Sequence, residues 1–139
     1  MLAAVNERPV AANLFRTAPE LRLIAGRNRK TGRLVFPAPG DSDLIESVDL
    51  PNRGLLWSYT VQRYAPKSPP YRSDEPFAPF AVGYIELSGA LIVESRLVDV
   101  PFNQLRVGLP VELTTFTLRT DDAGKVLMFA FRPQAGALS

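Results

Sequence analysis

The chain has 139 residues, of which 46% are hydrophobic and 22% charged, and its formal net charge is +2. A chain of this length can bury enough surface to fold as one domain without disulfides or metals. It contains no cysteine and no histidine, which excludes a disulfide framework, a thiolate or imidazole metal site, and a Ser-His or Cys-His nucleophile pair.

The charge is unevenly distributed along the chain. Residues 1–73 carry 11 Lys/Arg against 6 Asp/Glu, whereas residues 74–139 carry 5 against 8. This asymmetry favours the N-terminal half for contact with an anionic ligand or an acidic partner. No apolar run approaches the roughly 18 residues of a membrane span, and Met1–Val5 is too short for a signal-peptide core. We therefore expect a cytoplasmic protein without membrane contact.

The first segment, residues 1–19, is predicted to contain a short amphipathic helix. Val10, Leu14 and Phe15 are spaced at i, i+4 and i+5 ahead of Pro19, which is typical of an apolar helix face. Such a helix would cap the domain or dock on a neighbouring protein. In the second case Leu14 and Phe15 would make the contact.

The second segment, residues 20–53, is predicted to be a hairpin followed by a linker. Two short strands, Glu20–Ile24 and Gly32–Phe36, flank a turn with four basic residues. The basic residues are Arg27, Arg29, Lys30 and Arg33. They form either a phosphate contact, since Arg and Lys recognise phosphate oxygens, or a solvated hairpin tip. Residues 38–54 are rich in turn residues and are predicted to be a linker.

The third segment, residues 54–139, has five apolar runs with turn signals between them. One crossing segment, with a predicted helical turn at Phe102–Leu105, separates the third run from the fourth. This order is typical of a five-stranded OB-fold barrel. The predicted strands are Gly54–Tyr64, Phe80–Leu87, Ala90–Leu97, Val111–Arg119 and Val126–Phe131.

Two features of the barrel segment bear on function. Trp57, the only tryptophan, is predicted to lie in the core or in the wall of the barrel mouth. The loop from Ala65 to Pro79 carries five prolines and the side chains of Tyr71, Arg72 and Phe77. Since long loops on rigid scaffolds often bind partners, these three side chains are candidates for docking, although simple connection remains an equal alternative.

The order and spacing of several segments resemble a known family, the acyl-CoA-associated OB-fold proteins. In that family an N-terminal helix and a rubredoxin-like zinc ribbon precede a C-terminal OB domain. The segments that carry the likeness are Leu21–Leu23, Arg33–Pro37, Gly54–Val61, Pro79–Leu87, Gly108–Glu112 and Phe129–Pro133.

The chain departs from this family at the ribbon. The family has a Cys-x-x-Cys-Gly motif before the Phe-Pro pair and a second cysteine pair after it. Here the first places correspond to Asn28 and Thr31, followed by Gly32, and the second pair falls within Gly40–Asp43. The resemblance therefore implies a mainly β protein: an N-terminal helix, a degenerate, metal-free ribbon-like hairpin and an OB-fold barrel. No zinc is expected.

The resemblance also implies a function. Members of the family are accessory subunits that associate with thiolase-like enzymes, whether thiolases, aldolases or acyltransferases, and help to form the acyl-CoA site. By this reading the chain is not an enzyme, its partner is a thiolase-like subunit, and Arg27, Arg29, Lys30 and Arg33 would contact a CoA thioester held with that partner.

A single-stranded nucleic-acid-binding OB module is the alternative, with Trp57, Tyr59, Tyr64 and Tyr71 as stacking candidates. The negative charge of the barrel half is unfavourable for tracking phosphates.

Overall fold

The computed structural model describes residues 7–40, 42–63, 78–87, 89 and 91–138. These residues form ten β-strands and one 3-10 turn. None of the described residues forms a helix with the length and hydrophobicity needed to cross a bilayer. In chain order the elements are β1 (Glu7–Pro9), β2 (Phe15–Arg16), β3 (Arg22–Asn28), β4 (Leu34–Val35), β5 (Ile45–Asp49), β6 (Arg53–Gln62), β7 (Phe80–Leu87), β8 (Leu91–Leu97), the turn Phe102–Gln104, β9 (Pro110–Asp121) and β10 (Gly124–Pro133).

Strands β6 to β10 form the OB-fold barrel that the sequence predicts. β6 pairs with β7 and β7 with β8, both antiparallel, while β10 pairs with β9 along its full length. Pairing of Arg53–Leu55 with Pro110–Glu112 closes the barrel between β6 and β9. The remaining closure is weaker: β10 and β8 run parallel and meet at Phe131 and Leu97. The predicted helical turn is confirmed as Phe102–Gln104.

The predicted N-terminal helix is wrong. Residues 7–9 form β1, which lies parallel to the start of β10, and the amide of Val10 donates to the carbonyl of Leu127 at 2.8 Å. A turn follows, in which the amide of Leu14 donates to the carbonyl of Ala11, and Phe15 then begins β2. The spacing of three apolar residues indicates a common packing side but cannot fix the backbone conformation, because a helix this short is marginal without tertiary support.

The predicted linker also contains regular structure. Within residues 38–53, β5 pairs antiparallel with β3 over five registered residues. β3 is therefore the central strand of a small ribbon-like sheet, bounded by β2, β4 and β5. The sequence pattern did not predict this strand, because β5 is only partly buried and its composition is therefore polar and acidic.

One hydrophobic core joins the ribbon-like sheet to the barrel. Phe15 and Phe36 of the ribbon make edge-to-face contacts with Phe129 of β10, at ring-centroid distances of 6.1 and 5.7 Å. Phe15 and Leu23 are fully buried, as are Leu56, Ile85 and Phe131 in the barrel. These side chains belong to one continuous cluster. The ribbon is thus packed on the barrel and does not form a separate core.

Candidate functional site

The loop between β3 and β4, residues 29–33, is held by two side chains, mainly by that of Asn28 at the end of β3. The hydroxyl of Thr31 also accepts from the amide of Arg33 at 3.2 Å. Asn28 Oδ1 accepts hydrogen bonds from the amides of Lys30 (2.9 Å) and Thr31 (3.1 Å). The carbonyl of Asn28 accepts from the amide of Gly32, whose φ of +73° suits a residue without Cβ. This arrangement is an Asx turn, in which a side-chain oxygen replaces a backbone acceptor. Arg27–Arg33, hereafter the basic loop, therefore has a defined conformation made by the chain itself.

The four predicted anion-binding side chains of the basic loop are not equivalent. Arg27 and Arg29 both approach Glu46 of β5, at 3.6 and 3.4 Å between nitrogen and oxygen. Within the described part of the chain, Lys30 and Arg33 make no ion pair. One carboxylate therefore partly neutralises two cations, which leaves Lys30 and Arg33 as the cations most available to an anion.

The donor set of the basic loop does not fit the family's zinc. Asn28 and Thr31 occupy the places of the first cysteine pair, and the chain offers no thiolate or imidazole anywhere. Within the residues that the structure describes, no three acidic side chains come together in a metal-binding group. The hydrogen bond from the Thr31 amide to Asn28 instead joins these two positions directly.

The predicted docking residues fall into three groups. Phe15 is fully buried against Phe129, so the structure assigns it to the core and not to an exposed contact surface. Leu14 is half-buried and packs against the same core. Tyr71, Arg72 and Phe77 lie outside the described residues, and their role stays a prediction.

A surface that the sequence analysis did not identify lies on the outer side of β6, β7 and β8. Trp57 is 56% exposed and Leu55 51% exposed, and Tyr84 and Ile92 are exposed on the neighbouring strands. These four residues, Leu55, Trp57, Tyr84 and Ile92, are called the outer apolar face below. The strand register places them near one another. Leu55 lies opposite Glu86 of β7, and Glu86 lies opposite Ile92 of β8.

A β-bulge lies at Trp57, whose exposure excludes the predicted place in the core. The β6–β7 register shifts between Leu56 and Ser58, so Trp57 is an extra residue without a partner on β7. Burial alternates along β6 from Leu55 to Trp57, so Trp57 shares the solvent side of the strand with Leu55. Alternation along the sequence gives these two residues a common face but does not say which face of the strand is buried. The single tryptophan of the chain is the sequence signal that could have indicated this surface, because Trp is enriched at protein interfaces.

A second feature is a cleft of about 320 Å³ between β8 and β10, beyond the point where these strands meet. Its apolar lining comes from Val82, Phe116, Leu118, Met128 and Phe129. Its charged residues are Glu94 and Arg96, neighbours on the outer face of β8.

The fold and these surfaces define a class: an OB-fold protein with a packed ribbon-like sheet that has no cysteine or histidine, without a constellation of catalytic groups among its described residues. Over residues 47–116, about half of its length, the chain matches the family described as ChsH2, C-terminal OB-fold domain. The chain belongs to this family.

Two known proteins are similar over most of the chain. A DUF35 domain-containing scaffold protein from Pyrococcus furiosus is 24% identical over 116 residues, covering 80% of this chain and 81% of that protein. Among solved structures, a chain of the Ltp2-ChsH2(DUF35) aldolase superposes with a TM-score of 0.58 at 23% identity. That likeness covers 81% of this chain and 84% of the other, and it supports the OB fold.

Proposed function

We propose that this chain is a non-catalytic accessory subunit that docks on a thiolase-like enzyme: an aldolase, a thiolase or an acyltransferase. Membership of the ChsH2 OB-fold family carries the proposal. One relative is named a scaffold protein, and the structurally similar chain belongs to an aldolase described by two components, Ltp2 and ChsH2. The residue content agrees, since the chain lacks the cysteine and histidine that thiolase-type chemistry would require of it.

The outer apolar face is the best candidate for the docking surface. It presents a tryptophan, a tyrosine and two aliphatic side chains on a rigid three-stranded sheet, and Trp and Tyr are frequent interface hot spots. Contiguous exposed apolar residues on a soluble domain commonly mark interaction sites. The strands beneath are backed by the buried residues Leu56, Ile85 and Val93, so this surface is preorganised.

The charges beside this face specify the partner further. Glu86 and Glu94 are exposed on the same side of β7 and β8, and neither forms an ion pair within the described ranges. Glu86 lies between Leu55 and Ile92, and Glu94 lies opposite Tyr84. An apolar face with two carboxylates among its residues fits a partner surface with apolar pockets and lysine or arginine beside them. The same carboxylates oppose nucleic-acid phosphates, which disfavours single-strand binding by the aromatic residues of this face.

Co-elution with a thiolase-like enzyme encoded near this chain tests the docking. The full chain and the enzyme should elute together in size-exclusion chromatography, and Trp57→Asp should weaken the complex by about tenfold or more, as expected for an interface hot spot. Val107→Asp is the matched control, because Val107 is 69% exposed in the loop before β9. Separate elution with unchanged enzyme activity would remove the proposal, and equal loss in both variants would remove this surface.

We further propose that the basic loop contributes to the acyl-CoA site of the complex. The supporting observation is that Lys30 and Arg33 are cations without an ion pair in the described chain, on a loop held by the Asx turn of Asn28. A phosphate is well matched to such side chains. Arg27 and Arg29 are expected to contribute less, because Glu46 lies beside both.

Kinetics of the assembled complex test the role of the basic loop. The double substitution Lys30→Gln/Arg33→Gln should raise KM for acyl-CoA about tenfold with little change in kcat, since a phosphate contact is made equally in ground and transition states. Glu46→Gln should lower KM, because it removes the carboxylate that competes for Arg27 and Arg29. An unchanged KM in the double variant would show that the loop is a solvated tip.

A further inference from the structure

The cleft between β8 and β10 has a structural origin. β8 and β10 meet at Leu97 and Phe131, where the amide of Val98 also donates to the carbonyl of Phe131 at 2.9 Å. Before this point β10 pairs on that edge with β1, not with β8. The two barrel strands therefore diverge, and the space between them is the cleft.

Arg96 is the distinctive residue of the cleft. Its guanidinium carbon lies 4.3 Å from the ring centroid of Phe80 and 5.0 Å from that of Phe116. Contacts with two aromatic rings restrict the position of the guanidinium and shield part of it from water. Its place in the cleft is therefore limited before any ligand arrives.

The hydrogen-bonding capacity of Arg96 remains free within the described part of the chain. Its guanidinium makes no ion pair and no hydrogen bond there, and its nitrogens are not sequestered from solvent. The neighbouring Ser95 hydroxyl is already committed, because it donates to the carbonyl of Arg96 at 3.0 Å. The edge of the guanidinium thus offers parallel N–H donors at the border of an apolar space.

We propose that this cleft binds a short apolar carboxylate, with the carboxylate on Arg96 and the apolar body among Val82, Phe116, Leu118 and Met128. A planar guanidinium matches the two oxygens of a carboxylate. The volume lies near the lower end of ligand pockets, which suits a chain of about eight carbons. Glu94 borders both the cleft and the proposed docking face, but Arg96 and the apolar lining of the cleft belong to neither the docking face nor the basic loop, and the isolated chain tests this site without the partner enzyme.

Glu94 limits the charge of the ligand. Its carboxylate also lines the cleft, so it repels anions and disfavours a dianion such as a phosphate monoester more than a monoanion. A neutral alkyl chain would leave the guanidinium donors to water and would gain nothing from the charge of Arg96. A singly charged carboxylate with an apolar body is therefore the class that best matches the apolar lining and the Arg96 donors with the least repulsion from Glu94.

Titration of the full chain with sodium octanoate and with 1-octanol, followed by NMR amide shifts, tests the proposal. Octanoate should shift the amides of Arg96, Phe116 and Met128 and bind at least about tenfold more tightly than octanol, as expected for a hydrogen-bonded charge. Equal affinity for the two ligands, or no binding of octanoate, would overturn the proposal.

Three substitutions test whether octanoate binds in the cleft. Arg96→Gln should reduce affinity about tenfold or more, whereas Arg132→Gln, at an exposed arginine of β10 outside the cleft, should leave it unchanged. Glu94→Gln should increase affinity several-fold by removing the opposing charge, and it retains the arginine and both aromatic contacts. Octanoate affinity that is unaffected by Arg96→Gln and by Glu94→Gln would show that the cleft is not the binding site.

Discussion

The barrel and the ribbon reach a fixed structure by different routes. The barrel strands form long registered ladders, with ten residue pairs between β9 and β10 alone. The ribbon has strands as short as two residues, no metal-ligating cysteine, and a loop organised by Asn28. It is stabilised by packing on β10 and by the pairing of β1 with the same strand. Packing on the barrel therefore supplies the ribbon with support that does not depend on cysteine ligands.

Removing the shared aromatic contact is expected to have the largest effect. Phe129→Ala deletes the ring that both Phe15 and Phe36 touch, and a buried Phe→Ala change costs about 3–5 kcal/mol of unfolding free energy. Urea denaturation measures this loss. Phe102→Ala, at an exposed ring in the 3-10 turn, is the control and should cost much less. Equal losses would show that the ribbon does not depend on this cluster.

Substitutions at two glycines compare how tightly the barrel and the ribbon are packed. A Cβ at Gly54 of β6 would lie 2.3 Å from the backbone oxygen of Glu86, whereas one at Gly26 of β3 would meet the side chains of Ile45 and Pro39 at 2.8 and 3.0 Å. We expect Gly54→Ala to cost about 1–3 kcal/mol and Gly26→Ala less, because side chains yield more easily than a paired backbone.

The control for the glycine pair is Gly40→Ala, since no described residue beyond its chain neighbours has an atom within 4 Å of a Cβ added there. Thermal unfolding of the three variants gives the order directly. A larger loss at Gly26 than at Gly54 would mean that the ribbon is the more tightly constrained region.

Substitution of Asn28 tests whether the Asx turn holds the ribbon loop in its conformation. Asn28→Ala removes the acceptor of two amide hydrogen bonds and should destabilise the protein by about 1 kcal/mol. Hydrogen exchange of the Lys30 and Thr31 amides should accelerate in the same variant. Asn28→Asp keeps the acceptor oxygen, so it should preserve most of the protection; equally fast exchange in both variants would argue against the turn as the support.

The smallest expected effect concerns the ion pair between β1 and the β9–β10 turn. Arg8 holds the pKa of Asp121 below its ordinary value of 3.8 by a side-chain hydrogen bond. Because the folded-state pKa is lowered, the pair stabilises the fold above pH 3.8 and loses this contribution as the pH falls through the lowered value.

The urea midpoint of the native chain should therefore exceed that of Asp121→Asn near neutral pH and converge with it in acid. Asn keeps the acceptor for the Ala123 amide, so the comparison isolates the charge. Asp122→Asn serves as the control, since Asp122 forms no ion pair within the described residues. A difference that persists below the lowered pKa would assign the effect to packing.

The local sequence pattern was sufficient to predict the strands where the structure is regular. The alternation and turn residues of residues 80–97 and 111–131 correctly predicted four barrel strands, because side-chain period and turn chemistry are local properties. Arg29, Lys30 and Arg33 of the basic loop were also correctly placed between two strands, whereas Arg27 lies within β3, which extends beyond the predicted strand end at Ile24. The charges of the loop were visible in the sequence, but their partial neutralisation was not, because Glu46 lies on β5, which the sequence analysis predicted as linker.

Tertiary structure decided the remaining features. The sequence by itself determined the barrel order, the absence of a thiolate zinc site, and a cluster of cations at residues 27–33. Whether Phe15 belongs to a helix or a buried strand, whether Trp57 faces the core or the solvent, and whether Arg96 meets two aromatic rings depended on packing between segments far apart in the chain. Such contacts depend on which surfaces are brought together, and no local window of sequence contains both of them.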